Sequence, residues 1–370
     1  MHDTGLIQRP GIGETSTVSP SNPFPPGAQA DAEPVPFRLW WGLAACAAFV
    51  GVILAAGPYS AGFTLEPDRG LMWYFWQRAD ADVWSRLSAW LPYCLHQLGM
   101  WWLIAQAKSA RPRYVFGLHW FNLWALALNG TFILLHIVQT KFFYDGLAQD
   151  VHEATSMGSV ILMLWMILVM ENRRRGLLFG KPAPFMETAG EALRRYHGYY
   201  FSWAVIYTFW YHPVELTNGH IAGFAYMFLL LLQGSLFFTR FHTNRWWTVS
   251  LEVLFVVHGA LVAWFIMTRA QPGPMSMFLF GGVALFLLTQ MHGLGLSTRA
   301  KWLIAAPLIA VMAAFFATFP DTLAGLPRLP LIQYIGTCLM AAFVTLLVIV
   351  GRRLRSQPAA PPTPLPGAGT

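Results

Sequence analysis

Charged residues are scarce in this chain, making up only 11% of its 370 residues, whereas soluble domains carry about 25%. Apolar residues make up 56%, and lysine and arginine are absent from the interiors of the long apolar runs. This deficit excludes an ordinary soluble domain. The net charge of +7 is therefore attributed to basic loops beside a membrane, and no nucleic-acid partner is expected.

Cysteines and catalytic signatures are also sparse. Cys46, Cys94 and Cys338 all lie in apolar segments, outside any CxxC or haem-attachment motif, so neither a disulfide framework nor a covalent c-type haem is indicated. The sequence contains no P-loop, GxSxG, HExxH or aspartate-rich prenyl-phosphate motif. The clustered histidine boxes of membrane desaturases are missing as well.

The two ends of the chain are polar and show no periodicity. We predict a disordered cytoplasmic tail over residues 1–38, a transmembrane bundle over 39–351 and a second disordered cytoplasmic tail over 352–370. No basic n-region with a short h-region opens the sequence. The first apolar run is therefore expected to act as an uncleaved signal anchor.

Ten apolar runs are about as long as the 20 helical residues that cross a hydrocarbon core. The fold class predicted from them is all-α, a polytopic integral membrane helix bundle with about ten transmembrane helices. The runs are 39–57, 87–106, 115–138, 154–170, 197–212, 220–239, 248–268, 275–292, 301–319 and 329–351.

Lysine and arginine alternate between the connections. They are dense in 107–114, 171–196, 240–247 and 293–301 and sparse in the connections between these. By the positive-inside rule the dense set is cytoplasmic, which places both termini in the cytoplasm. The expected location is a bacterial inner (cytoplasmic) membrane.

Two connections carry additional helical signals. Residues 70–86 place Trp73, Phe75, Trp76 and Trp84 beside acidic residues, which is typical of an interfacial helix on the outer face. On the inner face, the METAGEALRR segment of 171–195 indicates a separate short helix.

Ten histidines of the bundle sort by depth under this topology. Ionisable groups inside a bilayer indicate function by default, although a neutral imidazole can also serve as a hydrogen-bonding group between helices. The outer layer holds His136, His152, His212 and His220, the inner layer holds His119, His197, His242 and His292, and His96 and His258 lie near mid-membrane.

The outer layer combines imidazoles with carboxylates, the ligands that zinc, iron and copper accept. Runs 5 and 6 must form a tight hairpin, which brings His212 and His220 to a similar depth. We expect a Cu, Fe or Zn site here. Its candidate ligands are His136, His152, Glu153, His212, Glu215 and His220.

Haem b is the second cofactor hypothesis. His197 and His212 lie fifteen positions apart on one run, which is about 22 Å of helical rise on nearly the same face. The spacing resembles that of the haem-bearing helices of the cytochrome b family, and the resemblance covers this single helix. It implies one ligand to each of two stacked haems. The pair His96 and His258 is an alternative site for one haem.

The leading functional hypothesis is a metal- or haem-binding membrane protein with a redox role. It would pass electrons between a lipid-soluble carrier such as a quinone and an outer acceptor. One alternative is a small-molecule or ion permease whose histidines bind protons. Another is an assembly or scaffold subunit that works with other membrane subunits.

Overall fold

The computed structural model describes residues 33–59, 62–69, 73–267 and 272–355. Within these ranges the chain is helical, and four isolated β-bridges occur without any named strand. The ten α-helices are α1 (Leu39–Ala56), α2 (Val83–Ala110), α3 (Trp120–Phe142), α4 (Glu153–Arg175), α5 (Glu187–Tyr211), α6 (Asn218–Ser235), α7 (Arg245–Val262), α8 (Pro272–Leu288), α9 (Thr298–Thr318) and α10 (Arg328–Arg355).

Each apolar run of the sequence coincides with one of these helices. Most of both predicted tails lies outside the described residues, namely 1–32 and 356–370. The last residue of run 7, at 268, lies outside them as well. The described ends of the two tails are short. Residues 33–38 are not helical, and α10 continues to Arg355 instead of ending at 351.

In the described part of the chain, six helical segments are long and apolar enough to cross a membrane. They include α1, α3, α4, α7, α9 and α10, whereas α8 is apolar but shorter. Such segments in an all-helical chain identify a helical membrane protein in contact with lipid. These six candidate spans are fewer than the ten spans predicted from the sequence.

Two helical boundaries differ from the sequence predictions. The short inner-face helix expected within 171–195 is continuous with run 5, because α5 starts at Glu187. The outer interfacial helix expected over 70–86 is absent from the described residues 73–82. There, the Glu66 and Ala79 amides donate to the carbonyls of Gln77 and Thr64, forming a short two-stranded loop. Helix begins only at Val83, where Asp82 caps α2 by accepting from the Ser85 amide.

Helix α5 lies at the centre of the bundle. It packs against α2, α4, α6 and α10, and its C-terminal half contains the fully buried Trp210 and Tyr211. By contrast, α1 and α9 are mostly exposed along their apolar length. Because α5 is shielded by other helices, it can carry polar groups that a lipid-facing helix could not.

Candidate sites at the two ends of the hairpin formed by α5 and α6

The hairpin formed by α5 and α6 carries a pair of histidines at each end, and the ends are called outer and inner after the orientation expected from the sequence. Pro213 prevents α5 from continuing, and Thr217 starts α6 by accepting from the His220 amide at 3.2 Å. At this turn the His212 and His220 ring centres are 6.0 Å apart. At the other end, His197 of α5 and His242 of the connection between α6 and α7 are 6.2 Å apart, centre to centre.

Tyr74 lies between the two outer histidines. Its hydroxyl shares a hydrogen bond with His212 Nδ1 at 2.9 Å and lies 3.4 Å from His220 Nε2. On its far side, His220 Nδ1 shares a 2.7 Å hydrogen bond with the Thr217 hydroxyl. A continuous chain thus runs from Thr217 through His220 and Tyr74 to His212.

The Tyr74 phenol is buried in the connection between α1 and α2. Burial raises its pKa well above the usual value, and nearby tyrosines and the carboxylates of Glu153 and Glu215 raise it further. The phenol is therefore protonated at neutral pH. In this state it can donate to one imidazole and accept from the other.

The predicted outer ligands do not all join this cluster. His136 Nε2 bonds with the His212 carbonyl oxygen at 2.9 Å, so its ring lies beneath the turn. His152 caps α4, with its Nδ1 accepting from the Ala154 amide at 3.1 Å. Glu153 and Glu215 act on Tyr74 through their charge.

The two histidines expected near mid-membrane, His96 and His258, have different surroundings. Trp210 donates its indole hydrogen to His96 Nδ1 at 3.2 Å, so Nε2 carries the ring proton and donates to Asn129 Oδ1 at 2.6 Å. Both ring nitrogens of His96 are thus occupied by protein partners. His258 lies beside Tyr226 of α6, and its Nδ1 is buried without a hydrogen-bond partner.

At the inner end, both histidines use Nδ1 in the same way. His197 Nδ1 donates to the Arg194 carbonyl at 3.0 Å, and His242 Nδ1 donates to the Gln233 carbonyl at 3.0 Å. A carbonyl oxygen only accepts. Each Nδ1 therefore carries the ring proton, which places the lone pair of each neutral imidazole on Nε2.

Among the described residues, no group of three or more His, Cys, Asp and Glu side chains is arranged to hold a metal ion. The six-residue ligand set expected from the sequence is thus not gathered as one such group. A metal bound at the outer pair would need a ligand of another type, and Tyr74 is the residue in contact with both imidazoles.

Comparison with known proteins adds no relative. No family model matches the chain, and no curated protein or solved structure shows significant similarity to it. The function is therefore inferred from the site itself.

Sequence reasoning missed Tyr74 and the pairing of His197 with His242. Tyr74 sits in an aromatic segment whose tryptophans and phenylalanine indicated a membrane interface. It is separated from His212 by 138 positions. No local spacing pattern connects residues so far apart in sequence, so only the folded chain reveals this contact.

Proposed function

We propose that this chain is a ten-span protein of a bacterial inner membrane with a transition-metal centre at the outer end of the α5–α6 hairpin. The centre would serve a membrane redox reaction. Both termini would lie in the cytoplasm. A quinone or another lipid-soluble carrier would exchange electrons with the metal, alone or with other membrane subunits.

The ten-span topology is supported by where the basic residues lie on the helices. Arg173, Arg174 and Arg175 occupy the last turn of α4, and three arginines occupy the last turn of α10. Cationic groups at a helix C-terminus complement the helix dipole, and their concentration on one side orients a membrane protein. Helices α2, α5, α6 and α8 span in this proposal although their sequences are more polar or shorter, because each packs against neighbouring helices that can partner its polar groups.

One observation supports the metal centre: two imidazole nitrogens both lie close to one phenol oxygen, which gives three potential donor atoms. These are His212 Nδ1, the Tyr74 hydroxyl oxygen and His220 Nε2, with the oxygen 2.9 Å and 3.4 Å from the two nitrogens. Ligand atoms bound at about 2.0–2.1 Å to a tetrahedral ion lie roughly 3.3 Å apart. Small side-chain adjustments would therefore allow all three to coordinate one ion.

The donor set indicates which ions would bind. Imidazole suits copper, iron and zinc, and a redox role restricts the choice to copper or iron. Binding through Nε2 would require His220 to carry its ring proton on Nδ1 and to donate it to the Thr217 hydroxyl oxygen. It would also displace the phenol proton of Tyr74, because metal ligands bind in deprotonated form.

The test is elemental analysis of the full-length protein purified in detergent, with the Tyr74→Phe, His212→Ala and His220→Ala variants. We expect bound copper or iron in the wild type. Loss of a ligand should lower affinity by at least about 10–100-fold, the effect seen even for residues that only support ligands. The matched control is Tyr59→Phe, because Tyr59 is 81% exposed.

Each alternative result has a defined meaning. Full metal content in both histidine variants would refute the outer centre. Loss in the histidine variants but not in Tyr74→Phe would limit the ligands to the imidazoles and exclude the three-donor arrangement.

A second candidate function is proton-coupled permeation. It is supported by the hydrogen-bond chain from Thr217 through His220 and Tyr74 to His212, because such chains can pass protons by exchanging donor and acceptor roles. Proton flux in proteoliposomes that stops in Tyr74→Phe, without bound metal, would favour this function. A metal-free protein without flux would favour a scaffold subunit.

A further inference from the structure

The inner end of the α5–α6 hairpin holds two imidazoles from independent elements. His197 lies within α5, whereas His242 lies in the connection 236–244 between α6 and α7. Their ring centres are 6.2 Å apart and their planes differ by 31°. This separation exceeds stacking contact, so the two rings are neighbours that do not pack directly face to face.

The hydrogen bonds of both rings match those of metal-bound histidines. A metal-ligating histidine almost always donates its second ring N–H to a carboxylate, a carbonyl or water, which fixes the tautomer and the ring orientation. His197 and His242 each direct Nδ1 to a backbone carbonyl at 3.0 Å. Both Nε2 atoms are thereby prepared as ligands.

His242 is held in place by an arrangement centred on Gln233. The Gln233 side-chain amide donates to the His242 carbonyl at 3.1 Å, and its amide oxygen accepts from the Trp247 indole at 2.6 Å. The His242 amide donates to the Thr239 hydroxyl at 3.3 Å. Because these contacts already restrain His242, less entropy is lost when it binds a ligand.

The distance between the rings also agrees with shared coordination. If two imidazoles bind opposite sides of one metal through bonds of about 2.0–2.1 Å, their ring centres lie roughly 6.3 Å apart. The observed distance is 6.2 Å. Two ligands leave a metal incompletely coordinated, so further ligands must come from the bound group or from water.

We propose that His197 and His242 bind a transition-metal centre through their Nε2 atoms at the inner end of the hairpin. The centre is either an imidazole-preferring ion such as copper, iron, nickel or zinc, or the iron of a haem. This pairing differs from the haem hypothesis based on the sequence, in which His197 and His212 each provide one ligand to two stacked haems. It also stands independently of the outer centre.

A neighbouring pocket indicates the charge of the bound group. An open pocket of about 540 Å³ is lined by Arg113, Tyr114, Arg240 and Thr243, and Thr243 follows His242 directly in the chain. Two guanidinium groups disfavour a bare dication but can pair with carboxylates or other anions. Of the two alternatives, these arginines favour haem, whose propionates are negatively charged, over a bare ion.

The experiment uses full-length protein carrying His212→Ala, which removes the proposed outer centre. Protein produced with supplied iron and haem precursor is purified in detergent, and its absorption spectrum and metal content are measured. Apo protein is also titrated with hemin, Cu²⁺ and Zn²⁺. The added variants are His197→Gln and His242→Gln, with His292→Gln as the inner-face control, since His292 already directs Nε2 to the Leu287 carbonyl.

We expect one equivalent of metal in the His212→Ala protein, reduced at least 10-fold by either His197→Gln or His242→Gln and unchanged by His292→Gln. A Soret band that disappears with the metal identifies haem, and metal without a Soret band identifies a bare ion. Absence of metal and haem binding, or equal loss in the His292 control, would overturn the proposal. Melting and size-exclusion measurements verify that each variant is folded.

Discussion

The histidines of this bundle differ in whether a ring nitrogen is left free by the protein. Both nitrogens of His96 are bonded, one to Trp210 and the other to Asn129. For this residue, the alternative of a hydrogen-bonding group between helices explains the observed contacts. His197 and His242 each direct only Nδ1 to a carbonyl. The same residue type therefore has different chemical capacity at different positions.

His96→Ala tests this distinction directly. It leaves the Trp210 indole N–H and the Asn129 side-chain oxygen without their buried partner, and each orphaned group costs about 1–3 kcal/mol. We expect a lower melting temperature in detergent but unchanged cofactor content per folded molecule. A selective loss of haem or metal in this variant would instead assign His96 a ligand role, as the mid-membrane haem hypothesis requires.

Asp145, which lies in the connection between α3 and α4, predicts that the stability of the protein depends on pH. It is 1% exposed, and burial raises the pKa of its carboxyl from 3.8 to about 6, although Arg78 and Ser85 donate to it. The folded state thus favours the protonated acid. The stabilisation that protonated Asp145 contributes is fully present below 3.8, the pKa of the unfolded state. It is lost as pH rises through the folded pKa of about 6, and the total effect is about 3 kcal/mol.

We therefore expect the melting temperature to fall between pH 4 and pH 7 (roughly the interval between the two pKa values). Asp145→Asn should reduce this slope and raise stability at neutral pH. Asp321→Asn provides the control, because Asp321 is exposed and lies in a different connection, between α9 and α10. An unchanged slope in Asp145→Asn would show that another group causes the dependence.

At the scale of helices, α4 and α10 approach closely at a glycine. A Cβ atom added at Gly336 would lie 1.9 Å from Cε2 of Trp165, whereas one added at Gly351 on the same helix would meet nothing within 4 Å. We expect Gly336→Ala to separate the helices and lower the melting temperature. Gly351→Ala should be neutral or stabilising by up to about 1 kcal/mol, since alanine favours helix. Equal effects of the two changes would contradict this packing.

A buried ion pair joins α4 to α7. Arg175 donates through both terminal nitrogens to the two carboxylate oxygens of Glu252 at 2.5 Å, with side-chain exposures of 2% and 10%. Removing one partner of such a pair costs about 3–5 kcal/mol, while apolar replacement of both is often tolerated.

Arg175→Met and Glu252→Leu should therefore each be strongly destabilising, and the double variant should be more stable than either. Thermal melting of the four proteins in detergent provides the double-mutant cycle. Additive losses would show that the two charges are not coupled. The sequence alone does not reveal this pair, because Arg175 and Glu252 lie 77 positions apart.

For the whole molecule, the ten-span topology makes a definite prediction. A reporter fused after residue 145 or 217 should be extracytoplasmic, and one fused at residue 180 should be cytoplasmic, because arginine-rich connections stay inside. Enzymatic reporters active on only one side of the membrane provide the measurement. Reversed readings at these positions would refute the orientation and the assignment of the two histidine pairs to outer and inner faces.

The sequence predicted the helices well and the contacts between them poorly. Runs of apolar residues must fold as helices in lipid because their backbone groups need internal partners, so all ten runs coincide with helices. The outer segment 73–82 is different. Its aromatic composition predicted a helix, but backbone pairing with residues near Thr64 produced a loop.

By itself, the sequence determined the helical membrane class, the alternation of basic connections and the short turn that brings His212 near His220. Tertiary structure alone decided that Tyr74 enters this turn and that His197 faces His242. Hydrophobicity sets which segments enter a membrane, but nearly uniform apolar surfaces do not specify helix rotation or the path of a loop. Those depend on side-chain packing and hydrogen bonds between distant residues.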